Sequence, residues 1–144
     1  MQSDFHAAEF LLVNNDPTEL EFLAAYLSER GHPTNTVAGA EMALNWLRQK
    51  QCEVVIVELD FTNVNGRSLI ASLHAFNARL PIVVFTGNRC DESQMRAAMR
   101  AGASGYVSKN LPMEQLYCVL SRVLAAARYN ARRVRLQRQL LGAA

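Results

Sequence analysis

The chain has 144 residues, half of them hydrophobic and 19% charged, which suits one globular domain with a real core and excludes disordered or fibrous classes. No apolar run approaches the roughly 18 residues of a membrane span, and the opening MQSDFHAAEF, with Asp4 and Glu9, lacks the apolar stretch of a signal peptide. A cytoplasmic protein with no membrane partner is expected. The net charge of +2 hides an asymmetry: residues 1–114 hold nine Lys/Arg against thirteen Asp/Glu, whereas residues 115–144 hold six arginines and no acid.

Hydrophobic periodicity alternates between two values along the chain. FLLV (10–13) predicts a short buried strand. DPTE (16–19) follows, with Asp16 as helix cap, Pro17 in the first turn and Glu19 three residues after the cap. Leu20, Leu23 and Leu27 mark one face of this helix, and Gly31 closes it. A weak strand near 34–38 precedes a second helix near 39–50 with Ala43, Trp46 and Leu47 as packing residues. VVIV (54–57) is the clearest strand. Gly66 and Ser68 open a third helix with Leu69, Ile70, Leu73 and Phe76 on its apolar side. Pro81 starts a fourth strand, IVVF, and a fourth helix near 91–101 carries Met95, Ala98 and Met99. GYVS (105–108) predicts a fifth strand, and a long helix starts near Pro112.

Short, non-alternating Val/Ile/Leu strands separated by helices predict an α/β fold with a parallel sheet covered on both faces. Ligands of such sheets gather beyond the carboxyl ends of the strands. The first strand ends in Asn14 and Asn15, the third in Glu58 and Asp60, the fourth in Thr86 and Gly87, and the fifth in Ser108 and Lys109. Amide, carboxylate, hydroxyl and amine therefore converge on one edge. The three cysteines (Cys52, Cys90, Cys118) are odd in number and widely spaced, so reduced packing thiols are expected. His6, His32 and His74 share no ligand spacing with them, and no zinc site is expected.

The pieces LLVNNDP, VVIVELDFTNVNG, PIVVFTG and AGASGYVSKN, in this order and spacing, resemble the receiver domain of bacterial two-component response regulators, over about residues 8–127. The resemblance implies a five-stranded, doubly wound, flavodoxin-like sheet of strand order 2-1-3-4-5. It also implies two metal-binding acids after the first strand and an aspartate after the third that accepts a phosphoryl group from a histidine kinase. A Thr/Ser and a Lys contact that group. The family's acceptor lies eight residues before the loop glycine, here Gly66, which puts Glu58 at the acceptor position and Asp60 in the loop. Asn14 and Asn15 stand at the metal-acid positions. Thr86, Gly87, Tyr106 and Lys109 match the pattern; Thr86 and Tyr106 read as a two-position switch or, the reading favoured without phosphorylation, Tyr106 reads as a partly buried ring with its hydroxyl wet. Asn110 and Thr62 replace two family prolines.

These departures have chemical consequences. Phosphoryl transfer to a carboxylate needs a divalent cation to offset charge, and magnesium takes hard anionic oxygens. Two amides remove two formal charges, so magnesium binding is expected to be weak or absent, with no cofactor. Glu58 adds one methylene, about 1.5 Å of reach, and misplacement of about 1 Å costs roughly 100-fold in rate. Its carboxylate is expected to reach toward Thr86 and the ammonium of Lys109 as a standing ion pair.

After about residue 127, where such receivers end, the helical pattern continues. Leu116, Leu120, Val123, Ala127, Val134 and Leu141 follow alternating steps of four and three, with Asn130 and Gln137 in the gaps. The helix carries Arg122, Arg128, Arg132, Arg133, Arg135 and Arg138. We expect a receiver-like domain over 1–127 and a basic helical extension over 128–144. The extension reads as a stalk supporting a dimer or leading to an output domain, in preference to a partly frayed, solvated tail, with the LLGAA ending suggesting a fragment. The expected function is a non-enzymatic, phosphorylation-independent interaction and dimerisation module in two-component signalling. Its working face is the fourth helix, fifth strand and fifth helix, toward a second copy or an output domain. One alternative is a phosphoacceptor receiver using Glu58 or Asp60, with a histidine kinase as partner. The other is a nucleic-acid adaptor acting through the arginine helix, disfavoured because only Tyr129 interleaves the arginines.

Overall fold

The computed structural model describes residues 8–14, 16–59, 65–87 and 92–142; His6, Asn15, Asp60, Thr62 and Cys90 lie outside them, as do the side chains of Glu19 and Leu20. The five strands are β1 (Phe10–Val13), β2 (Thr34–Val37), β3 (Val54–Leu59), β4 (Ile82–Thr86) and β5 (Gly105–Ser108). They are parallel, in the order β2-β1-β3-β4-β5. The helices are α1 (Pro17–Glu29), α2 (Ala40–Gln49), α3 (Asn65–Phe76), α4 (Glu92–Ala101) and α5 (Met113–Leu141). This is the expected doubly wound architecture with an extended last helix.

Strand alternation splits the core into two layers. Leu11, Val13, Val55, Val57, Ile82 and Val84 face one side and pack with α2, α3 and α4 through Ala43, Leu47, Ile70, Leu73 and Ala98. Phe10, Leu12, Val54, Ile56, Val83 and Phe85 face the other and pack with α1 and α5 through Leu23, Leu27, Leu116, Leu120 and Leu124. Both faces are dry, which is why the strands read as continuous apolar runs.

Local signals act as expected at α1. The Asp16 carboxylate accepts from the Thr18 N–H at 3.0 Å, and at the other end the N–H groups of Gly31 and His32 return to Ser28 and Leu27. Elsewhere the structure corrects the expectations. β3 runs through Glu58 and Leu59 and β4 through Thr86, because the ladder continues as Glu58↔Phe85 and Leu59↔Thr86. Trp46 packs partly buried as expected. Phe76, assigned to an apolar helix face, is 43% exposed, and Met99, expected on the fourth helix, is 45% exposed. Each lies in the last turn of its helix, near the end of the stretch that the core covers.

Helix α5 has 29 residues and is about 43 Å long. Its first three turns cover the sheet and the remainder projects past it: after Leu124 no residue of α5 is fully buried.

Candidate functional site at the carboxyl edge

Three chain segments meet where β1, β3 and β5 end. Glu58 continues the alternation of Val54 and Ile56, so it rises on the α1/α5 side of the sheet. Asn14 directly follows β1 and Lys109 directly follows β5. The Asn14 amide donates from Nδ2 to Glu58 Oε2 at 2.7 Å, and the Lys109 ammonium pairs with the same oxygen. Asn14 is oriented by its own Oδ1, which accepts from the Asp16 N–H at 3.1 Å. Lys109 is held by its backbone, whose N–H donates to the Thr86 carbonyl at 2.7 Å. Its ammonium lies 5.6 Å from the centre of the Phe85 ring, within cation–π range. The following turn is closed by the Asn110 N–H donating to Ser108 Oγ at 3.1 Å.

The Glu58 side chain is only 4% exposed and that of Lys109 23%. A carboxylate this dry must be compensated. At Oε2 a cationic and a neutral donor contribute to this. Chemically the cluster is a neutralised, hydrogen-bonded acid.

The remaining edge residues divide between the two faces. Thr86 continues Ile82 and Val84 toward the α2/α3/α4 layer and is wholly buried. Tyr106, opposite Val84 in register, packs against that same layer with its hydroxyl out of solvent, not wet as expected. Gly87 is exposed, and a Cβ there would sit in ordinary contact, 3.5 Å from Lys109 Cδ.

The arginines do not join this edge. Arg122, Arg132, Arg133, Arg135 and Arg138 are exposed along α5. Arg128 departs from the set. Its Nε and Nη2 donate to the two Glu53 oxygens at 2.9 and 3.1 Å, a two-point clasp just before β3 at the opposite end of the sheet. It belongs to the body more than to a free basic surface.

A second polar cluster escaped sequence reasoning. His32 is 4% exposed. The Ala8 N–H donates to its Nδ1 at 3.2 Å, which leaves the proton on Nε2, 2.9 Å from the Tyr117 hydroxyl. Burial, the largest cause, and then the nearby Arg128 charge hold its pKa below 6.5, against Glu53. The histidine lies 85 positions from Tyr117 in sequence, and no local spacing signals the contact. Cys52 is partly buried, and burial together with Glu9 pushes its thiol up to about 12, in keeping with an inert packing cysteine.

Comparison with known proteins agrees with this geometry. Residues 10–121 match the response regulator receiver domain family. The regulatory protein VirG of Rhizobium radiobacter is 26% identical over 125 residues, 87% of this chain and 45% of that protein. The transcriptional regulatory protein KdpE of Mycobacterium tuberculosis is 28% identical over 131 residues, 91% of this chain and 56% of that protein. The chain thus spans about half the length of the curated relatives it matches. The crystal structure of NtrX from Brucella abortus superposes with a TM-score of 0.84 at 23% identity, over 94% of this chain and 30% of that one. The strand order and a family match spanning most of the chain lead to one conclusion: it belongs to the response regulator receiver domain family, the signal-transduction modules of two-component systems.

Proposed function

We propose that this receiver signals without phosphorylation, as a non-enzymatic protein-interaction module whose edge site is held in one standing arrangement. The observation that carries the reading is the commitment of Glu58 Oε2 to both Asn14 and Lys109. An acceptor must present one carboxylate oxygen to the incoming phosphorus while a divalent cation offsets the charge. Here Oε2 already receives an amide N–H and an ammonium. Among the described residues, the arrangement also does not fit a divalent cation. Asn14 turns its amide N–H, a donor, toward Glu58, and the positive charge beside the carboxylate comes from Lys109, whereas magnesium takes oxygen ligands.

Lys109 therefore stays where a phosphoryl oxygen would otherwise hold it, and the Tyr106 ring stays packed inward beside the layer that holds Thr86. The signalling partner reads this fixed edge and the neighbouring α4–β5–α5 face, as an output domain or a second copy. The receiver unit closes at Arg128, where α5 is clasped to Glu53, and the rest of α5 serves as its stalk. A cytoplasmic setting follows for a module of this class.

Intact mass after incubation with acetyl phosphate, with and without magnesium, tests the reading. No added phosphoryl mass is expected in either condition. A magnesium-dependent gain mapped to Glu58 or Asp60 would replace this proposal with a conventional phosphoacceptor.

A further inference from the structure

The loop between α1 and β2 places a titratable ring in the core at the amino-terminal end of the sheet. His32 is 4% exposed, and Ala8, its backbone donor, is wholly buried in the α1/α5 layer. At the start of β1 the Phe10 N–H donates to the Pro33 carbonyl at 2.9 Å, and the Ala8 N–H donates to His32 Nδ1 at 3.2 Å. The imidazole thus extends the β1–β2 pairing beyond its backbone ladder, standing in for a carbonyl. Its other nitrogen reaches α5 at the Tyr117 hydroxyl, 2.9 Å away, and the Phe10 ring closes the site at 5.1 Å between centroids.

A carbonyl accepts at every pH, whereas Nδ1 accepts only while the ring is neutral. In the imidazolium both nitrogens carry protons. The Nε2–H still donates to Tyr117, but Nδ1–H and the Ala8 N–H then face each other as two donors, and a buried N–H without an acceptor is costly. The surrounding groups do not offset the added charge. α1 contributes Tyr26, with Arg30 over its ring; α5 contributes Tyr117 and Arg128; Glu53 stands ahead of β3. Glu9, beside Ala8, accepts from the Asn35 amide at 3.2 Å. Arg30 and Arg128 are cations, and both oxygens of Glu53 are clasped by Arg128. Burial first, and then Arg128, oppose proton uptake by the ring in this position. Falling pH therefore favours an arrangement that relieves it. The bond to Ala8 is the one that yields, because Tyr117 serves both forms of the ring.

We infer that His32 is a proton-operated latch on the lead into β1: neutral, it holds Ala8 in the α1/α5 layer, and protonated, it releases Ala8 while keeping its contact with α5. The latch lies at the end of the sheet opposite Glu58 and gives a receiver with a standing carboxyl edge an input that needs no phosphoryl group. It goes beyond the phosphorylation-independent reading and stands whether or not Glu58 accepts a phosphoryl group.

Amide hydrogen exchange of the natural chain, followed residue by residue by NMR and corrected for the intrinsic pH dependence of exchange, tests the latch alongside the titration of the His32 ring protons. Between about pH 7.5 and pH 5, the protection of Ala8 is expected to fall about tenfold or more with the midpoint of the His32 titration, while Leu11 and Ile56 keep theirs. Three results overturn the inference: unchanged protection at Ala8, a His32 ring that stays neutral over this range, or a loss at Ala8 only together with Leu11 and Ile56, which is global unfolding. His32→Gln, which cannot titrate, is expected to remove the pH step at Ala8. A step that persists at the natural midpoint assigns the release to another group and overturns the inference as well. The measurements on the natural chain decide without the variant.

Discussion

Glu58 and Lys109 differ in their access to water, with side chains 4% and 23% exposed, and the difference decides what each substitution costs. Lys109→Met leaves a nearly dry carboxylate with its cation gone and is expected to cost about 2 kcal/mol. Glu58→Gln leaves an ammonium that can turn toward solvent and is expected to cost less, about 1 kcal/mol. Urea denaturation midpoints at unchanged m-value check the order, and an equal or reversed order removes the asymmetry. Asn14→Asp replaces a donor by a second carboxylate beside Glu58, where like charges repel. Its melting temperature is expected to fall and to recover partly with magnesium, while the natural chain shows no magnesium response. At this scale the edge residues were legible because the ends of parallel strands fall together in any fold of this class. Arg128 with Glu53, 75 residues apart, and His32 with Tyr117 were not, because pairing across elements depends on helix placement that no short spacing encodes.

Among the elements, β5 and α5 approach one another closely. A Cβ added to Gly105 would stand 2.8 Å from Val119 Cγ1, and one added to Gly102, at φ +124°, would strike the His74 ring. The motif AGASGYVSK thus carries one glycine for a left-handed turn and another for helix–strand contact. Gly105→Ala is expected to destabilise by about 1–3 kcal/mol. Val119→Ala in the same chain should return part of that loss, as thermal melts of the single and double variants would show. If the double variant is as unstable as the two losses added, the contact is not what limits the site. Helix periodicity did not show where burial stops, which is why Phe76 was misassigned and why Leu124, off the heptad line yet fully buried, went unnoticed.

For the whole molecule, the His32 cluster ties the start of β1 to the loop before β2 and to α5. Arg30 covers the Tyr26 ring at 3.6 Å and stands 5.6 Å from that of Tyr117, while Glu53 and Arg128 face the histidine electrostatically. Because the folded pKa of His32 lies below 6.5, the unfolded chain binds the extra proton as pH falls. The stability tied to neutral His32 is fully present above that unfolded value and is lost as pH drops from it through the folded pKa. The melting temperature is expected to fall between about pH 7 and pH 5, and His32→Gln to flatten that slope. An unchanged slope would assign the dependence to other groups.

Helix α5 runs from the carboxyl edge past the far end of the sheet without a break, pinned along the way by Tyr117, Leu120 and Arg128. An unbroken helix preserves angular phase as well as distance: each added residue turns whatever follows by about 100° and advances it by about 1.5 Å. Anything joined to its end is therefore oriented by the count of residues after Arg128. Inserting one residue there would swing it most of the way to the side, while inserting seven would return it nearly to its original bearing about 10 Å farther out.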